Sequence, residues 1–147
     1  MAEIRVLLAD DDEDDRLLFE DALKDLGYST LLTLAKNGVE LMEFLFRKDN
    51  ILPDILFLDL NMPLKNGVEC LNEIRTDQNF DDLVIVIYTT SLNQDTVDKL
   101  FRNQADYYIQ KPADYDDLKK VIKKALDLSK QNNRKPRPIT SFIITPT

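Results

Sequence analysis

The chain has 147 residues, of which 44% are hydrophobic and 31% are charged, and its formal net charge is −8. This length and composition are typical of one folded domain with a single core, and no apolar run approaches the ~20 residues that span a bilayer. Four of the 19 basic residues lie after residue 128, where there is no acid, so residues 1–128 carry 15 basic against 27 acidic side chains. Such an acidic body argues against direct binding of nucleic acid.

The residue types also limit the chemistry. Histidine is absent, which excludes Ser-His and Cys-His nucleophilic pairs, most zinc sites and a phosphohistidine within this chain. The single cysteine, Cys70, cannot form an internal disulfide and lies in a segment that reads as the buried face of a helix. The N-terminus lacks the pattern of a signal peptide, so we expect a soluble, cytoplasmic protein.

Strand-like and helix-like segments alternate along the chain. Five apolar runs of strand length are predicted at residues 4–9, 31–35, 55–58, 83–88 and 107–109. Helical periodicity follows each of them. The first helical segment stops at Gly27, three more are predicted at residues 38–49, about 67–75 and about 94–102, and a fifth has its apolar stripe within residues 118–125. Strands too apolar to have a wet face predict a parallel sheet with helices on both sides, a doubly wound α/β fold.

The last part of the chain differs in composition. Polar residues and prolines at 131–138 end the helical pattern, and residues 139–145 have strong β propensity. We therefore expect a tail that packs on something, either at a sheet edge or on a second subunit in a dimer.

Polar side chains follow the predicted strands at the edge where ligands bind in open α/β sheets. Asp10 and Asp11 follow the first strand, Asp59 the third, Thr89 the fourth and Lys111 the fifth. Clustered carboxylates raise one another's pKa unless a hard divalent cation with oxygen ligands relieves the repulsion. Magnesium is the natural candidate, with one carboxylate left to attack phosphorus while the hydroxyl and the amine neutralise the transferring oxygens.

These motifs, in this order, resemble the receiver domain of two-component response regulators. The resemblance spans about residues 3–128 and is carried by VLLADD (6–11), DILFLDLNMP (54–63), NG (66–67), Thr89 and YIQKP (108–112). It implies a flavodoxin-like sheet of five parallel strands in the order 2-1-3-4-5 with five helices. Residues 1–129 would form the receiver domain, and residues 130–147 a tail with an extra β-segment.

The resemblance also implies residue roles around the acceptor. Asp59 would accept the phosphoryl group. Asp10 and Asp11 would be the acid pair, and Asp59 and the backbone carbonyl of Asn61 would complete a Mg²⁺ site.

Three further roles follow from the same resemblance. Thr89 would be the switch hydroxyl and Lys111 the phosphate-binding amine, aimed by a cis bond to Pro112. Tyr108, three residues before Lys111, would be the aromatic switch, and its neighbour Tyr107 faces the opposite side of the strand.

The mechanism implied is phosphorylation by a separate sensor histidine kinase or phosphotransfer protein. The domain would catalyse its own phosphorylation and usually its own dephosphorylation, at a rate that the family tunes at the positions of Asn61 and Ser91. New charge-assisted hydrogen bonds would repack the face formed by helix four, strand five and helix five, which a downstream protein would read. A long second helix and the Asp-rich opening look like the stand-alone regulators that partner phytochromes.

Several alternatives remain open. A haloacid-dehalogenase-like phosphatase also uses a strand-end aspartate with magnesium, but that family has a second aspartate where this chain has Asn61. A degenerate receiver that only binds partners would normally have lost one of the site residues. Residues 12–15, all acidic, are predicted to form a solvated turn and helix start. Gln104 stands where many receivers have glycine, which predicts a turn without a positive φ angle.

Overall fold

The computed structural model describes residues 3–49, 51–131 and 138–147. Strands and helices alternate along it. The strands are β1 (Ile4–Ala9), β2 (Thr30–Ala35), β3 (Ile55–Leu58), β4 (Val84–Thr89) and β5 (Tyr107–Gln110). The helices are α1 (Glu13–Leu26), α2 (Gly38–Leu45), α3 (Gly67–Arg75), α4 (Gln94–Arg102) and α5 (Tyr115–Lys130). Short 3-10 turns occupy Gln78–Phe80 and Ile139–Ser141.

All five strands are parallel and lie in the order β2-β1-β3-β4-β5. The predicted flavodoxin-like, doubly wound fold is therefore confirmed. The register pairs Ala9 with both Ala35 and Leu58, and it pairs Thr89 with Gln110. The carboxyl ends of the strands consequently meet at one edge, which is where the polar residues follow them.

The core has two layers, one on each face of the sheet. Alternate residues of β1 divide between them, because Leu7 packs with α2, α3 and α4, whereas Leu8 packs with α1 and α5. All four residues of β3 and all six of β4 are buried. Burial on both faces explains why these strands read as continuous apolar runs in the sequence.

The second helix is shorter than predicted. It ends at Leu45, and the amide of its C-cap, Phe46, donates to the carbonyl of Met42. The residues that follow, at 47–49, are charged and offer no apolar position that would continue the buried stripe. The prediction of a long second helix over residues 38–49 was therefore wrong.

The turn after α4 has the positive φ angle that the sequence analysis excluded. Gln104 lies at φ 73°, with its amide donating to the carbonyl of Phe101 and the amide of Ala105 donating to that of Leu100. These two bonds form a Schellman motif, which requires a left-handed residue after the helix cap. The motif and a bond from Arg75 Nε to the Gln104 carbonyl (2.9 Å) offset the roughly 1–2 kcal/mol cost of this conformation in a residue other than glycine.

The described part of the tail packs against β5. Ile143 forms one parallel bridge with Tyr108, whose amide donates to the Phe142 carbonyl and whose carbonyl accepts from the Ile144 amide. The Phe142 ring is 1% exposed and lies against Phe101 at 5.4 Å. Most of the composition shift at 131–138 lies outside the described residues. None of the described helices has the length and apolar character to cross a membrane.

Candidate functional site

Three carboxylates meet at the carboxyl edge of the sheet. One oxygen from each of Asp10, Asp11 and Asp59 lies within 4.8 Å of the others. Asp10 and Asp59 are buried whereas Asp11 is exposed. The Asp59 amide donates to the Ala9 carbonyl at 3.0 Å, so the ladder between neighbouring strands extends by one residue and fixes the spacing of the acids.

The acidic loop between β1 and α1 is held by its own hydrogen bonds. Asp10 Oδ1 accepts from the Asp12 amide at 3.0 Å, and Arg16 Nη1 donates to the Asp10 carbonyl at 2.8 Å. Asp12 then caps α1, because its Oδ1 accepts from the Asp15 amide at 3.1 Å. This N-cap explains why a run of like charge folds as a turn and a helix start, as the sequence predicted.

The turn after β3 brings α3 close to the acceptor position. Asp59 Oδ1 accepts from the Asn61 amide at 3.2 Å. Gly67 packs directly on this backbone, since a Cβ atom there would lie 2.3 Å from the Asp59 carbonyl oxygen. Glycine at position 67 is thus required for the close approach of α3 to this backbone.

The position of Lys111 is set by the end of β5. Its amide donates to the Thr89 carbonyl at 2.7 Å. The predicted cis bond between Lys111 and Pro112 was wrong, because no peptide bond between described residues is cis. The trans isomer is the intrinsically preferred one, and with it the lysine still reaches the carboxylates.

The Lys111 ammonium joins three acidic groups. Its Nζ lies 2.7 Å from Asp10 Oδ2, 2.8 Å from Asp15 Oδ2 and 3.4 Å from Asp59 Oδ2. Burial by itself would lower the pKa of Lys111, but the nearby carboxylates of Asp10 and Asp15 raise it above its ordinary value. Burial raises the pKa of Asp10 from 3.8 to about 6, although the Lys111 ammonium opposes the rise. The charge of Asp10 is thus only partly compensated.

Thr89 and Tyr108 lie beside this cluster. Thr89 is fully buried, and its Oγ1 has no hydrogen-bond partner among the described residues. Tyr108 is also fully buried, and its hydroxyl donates to the Ser91 carbonyl at 2.6 Å. Its neighbour Tyr107 packs into the other core layer, as the alternation along a strand predicts.

The structure therefore brings Asp10, Asp11, Asp59 and Lys111 together as the sequence predicted. It adds Asp15, which the sequence analysis assigned to solvent. Asp15 is the third residue of α1, where the helix turns back over the end of β1. Its position in the first helical turn was the sequence feature that could have placed it near the other acids. The roles of these residues, and of the Asn61 carbonyl as a ligand, stay predictions at this point.

A family model described as "Response regulator receiver domain" matches residues 6–123. The chain belongs to this family, and the predicted resemblance is confirmed.

The proteins similar to this chain include two regulators. Response regulator Rcp1 of Synechocystis is 30% identical over 121 residues, covering 80% of this chain and 82% of that protein. The probable methanogenesis regulatory protein FilR2 of Methanothrix harundinacea is 26% identical over 136 residues, covering 90% of this chain and 88% of its own.

Solved structures give the same result. The phosphorylated cyanobacterial phytochrome response regulator RcpA is 26% identical, with a TM-score of 0.81 over 92% of this chain and 100% of that one. The Mn²⁺-bound form of Rcp1 is 27% identical, with a TM-score of 0.75 over 92% of this chain and 99% of that one. The likeness to phytochrome response regulators thus holds even though the second helix is short.

Proposed function

We propose that this protein is a single-domain signalling receiver that is phosphorylated on Asp59 by a partner histidine kinase or phosphotransfer protein. The observation that carries the proposal is the meeting of three carboxylates and one buried ammonium at a single edge of the sheet. Because a kinase draws on ATP, we place this exchange in the cytoplasm. The similarity to the phosphorylated phytochrome response regulator RcpA supports the same class.

The acidic cluster suits a hard divalent cation. Asp10, Asp11 and Asp59 offer oxygen ligands at mutual distances that one ion can bridge. Burial raises the pKa of Asp10, and bound positive charge would remove that penalty. We propose Mg²⁺ as the cofactor, held by these side chains and the Asn61 carbonyl. When bound, it would neutralise charge on the oxygens of the transferring group.

The chain's own residues then account for the transfer. An Asp59 carboxylate oxygen forms a bond to phosphorus, the bond from phosphorus to the donor breaks, and its electron pair leaves with the donor group. Lys111 stays protonated and offers its N–H groups to the phosphoryl oxygens. The product is an aspartyl phosphate, and hydrolysis by the domain itself restores the carboxylate.

The hydroxyl of Thr89 provides a route from this event to the surface. It is buried without a hydrogen-bond partner among the described residues. It could therefore donate to a phosphoryl oxygen without first breaking another hydrogen bond. Tyr108 lies on the next strand and is held inward by Ser91. We propose that movement of Thr89 toward the phosphoryl group repacks Tyr108 and the face formed by α4, β5 and α5, which a downstream protein then binds.

The tail bears on how that face is used. Residues Phe142 to Ile144 cover the outer edge of β5 through backbone bonds to Tyr108. The same bonds can form with the tail of a second copy, and we propose a homodimer of this kind. Removing residues 138–147 should convert the dimer to a monomer in sedimentation measurements, and an unchanged mass would exclude this part of the proposal.

The phosphorylation proposal is tested with acetyl phosphate and magnesium. Intact-mass analysis should show one added phosphoryl group on the wild type and none on Asp59→Asn. Asp82→Asn, which removes an exposed carboxylate at the opposite end of the sheet, should still be labelled. Labelling of Asp59→Asn at the wild-type rate would exclude the assignment. Steady turnover of unrelated phosphomonoesters would instead support the phosphatase.

A further inference from the structure

Asp15 is bonded more closely to the buried lysine than the acceptor aspartate is. Lys111 Nζ lies 2.8 Å from Asp15 Oδ2 but 3.4 Å from Asp59 Oδ2. The lysine side chain is 9% exposed, so this contact forms away from bulk water, whereas the Asp15 side chain is 31% exposed at the rim. A contact of this length to a largely buried ammonium is a charge-assisted hydrogen bond and not a solvated surface charge.

The backbone fixes Asp15 in this position. Its amide is bonded to the Asp12 side chain, and the Asp12 amide is bonded to Asp10 Oδ1. The two carboxylates that hold the lysine most closely, Asp10 and Asp15, thus belong to one hydrogen-bonded loop. The Asp15 carboxylate therefore contacts the lysine from a backbone position that the start of the helix fixes.

An ammonium has three N–H donors, and Lys111 faces three carboxylates. We infer that Asp15 is a positioning residue: together with Asp10 it keeps the Lys111 ammonium from closing on Asp59. The third N–H then makes only a long hydrogen bond of 3.4 Å to Asp59 Oδ2 and can turn to the incoming phosphoryl group. The inference rests on the proposed function, because it needs Asp59 to be the acceptor. Lys111 remains protonated throughout, and the leaving group departs with its electron pair.

A simpler role for Asp15 gives the opposite result. If it were only one more negative charge near the site, it would repel an anionic phosphodonor, and its removal would speed the transfer. If it positions the lysine, its removal lets Lys111 close on Asp59 and slows the transfer. The sign of the change in rate separates the two.

The test compares two neutralised aspartates on the same helical turn. Asp15→Asn and Asp14→Asn remove equal charge, but Asp14 is exposed and lies outside the lysine cluster. With acetyl phosphate at saturating magnesium, we expect the limiting rate of labelling to fall roughly tenfold for Asp15→Asn, by analogy with other small misplacements of catalytic groups. Asp14→Asn should change it little, and Asp15→Glu should recover part of the loss.

Two further readouts exclude a merely structural effect. In a Lys111→Ala background, Asp15→Asn should have no additional effect on the rate, because the residue acts through the lysine. In the metal-free protein, the ¹⁵N signal of the Lys111 ammonium should be protected from exchange in the wild type and lose that protection in Asp15→Asn.

The outcomes are distinguishable from failure of the proposed function. If the wild type is labelled at Asp59 but Asp15→Asn reacts as fast or faster, only the role of Asp15 is overturned. An additive effect of Asp15→Asn in the Lys111→Ala background overturns it as well. If the wild type is never labelled at Asp59, both conclusions fall together.

Discussion

Two buried acidic groups lie at different edges of this molecule, and their surroundings differ. Asp106, before β5, is paired with Arg75 at 2.8 Å and also accepts from the Ile85 amide at 2.8 Å. Asp10, after β1, has Lys111 at 2.7 Å, yet its Oδ2 has no hydrogen bond of good geometry among the described residues, and its pKa is raised. One acid is satisfied by the fold, whereas the other is left in need of positive charge.

Arg75, the partner of Asp106, also makes a full set of hydrogen bonds. The Arg75 guanidinium also donates to the backbone carbonyls of Gln104, Phe80 and Leu83, each at 2.9 Å. These bonds join α3 to the loops before β4 and β5. A buried carboxylate with complete partners belongs to the structural framework, whereas one with incomplete partners is a candidate for ligand binding.

The largest expected effect comes from breaking the satisfied pair. Arg75→Met should lower the free energy of unfolding by about 3–5 kcal/mol, because it leaves Asp106 buried without its charge partner. Arg102→Met, which removes an exposed arginine from α4, should stay within about 0.5 kcal/mol of wild type. Urea unfolding measures both, and equal effects would mean that the Arg75 cluster is not structural.

The second prediction concerns the unsatisfied acid and has the opposite sign. Folding raises the pKa of Asp10 from 3.8 to about 6, so between these pH values the folded state holds more protons and the acid's contribution to stability falls as pH rises. Without metal, the free energy of unfolding of Asp10→Asn should therefore rise relative to that of the wild type by about 3 kcal/mol between pH 3 and pH 8, with most of the change between pH 4 and pH 6. Urea unfolding across that range checks this, and a constant difference would contradict it.

The third prediction is the response to magnesium. At a hundredfold excess over its dissociation constant, Mg²⁺ should raise the free energy of unfolding by about 2.7 kcal/mol. Arg75→Met should show the same increment, since its defect lies elsewhere, whereas Asp10→Asn should lose most of it. Thermal unfolding with and without the ion provides the measurement. If Asp10→Asn keeps the increase in unfolding free energy, the metal binds outside the acidic cluster.

The smallest effect is expected at the switch hydroxyl. Thr89→Val replaces a buried hydroxyl that has no partner among the described residues, so the free energy of unfolding should change by less than about 1 kcal/mol, if anything upward. Thr90→Val, at the exposed neighbour, is the control. With beryllium fluoride and magnesium, the NMR signals of Tyr108 should shift in the wild type and the control but not in Thr89→Val.

The sequence was informative wherever chemistry and periodicity agree. Strand-length apolar runs placed each strand to within about one residue, most clearly at β3 and β4, which are buried on both faces. The starts of α2, α3 and α4 were predicted equally well, and α3 begins after Asn66, whose side chain forms a capping box with that of Glu69. Since parallel strands end at one edge, the cluster of Asp10, Asp59 and Lys111 followed from their positions after the strands.

What failed depended on contacts that the sequence does not display. Gln104 takes a positive φ because a Schellman motif and Arg75 hold it there. Asp15 reads as one acid of a solvated run, and only the packing of α1 over the end of β1 brings it to Lys111. The sequence alone determined the class of fold and which residues share its carboxyl edge, because hydrophobic periodicity is local. The tertiary structure decided which carboxylate holds the lysine, because hydrogen-bond partners are chosen by distance in space.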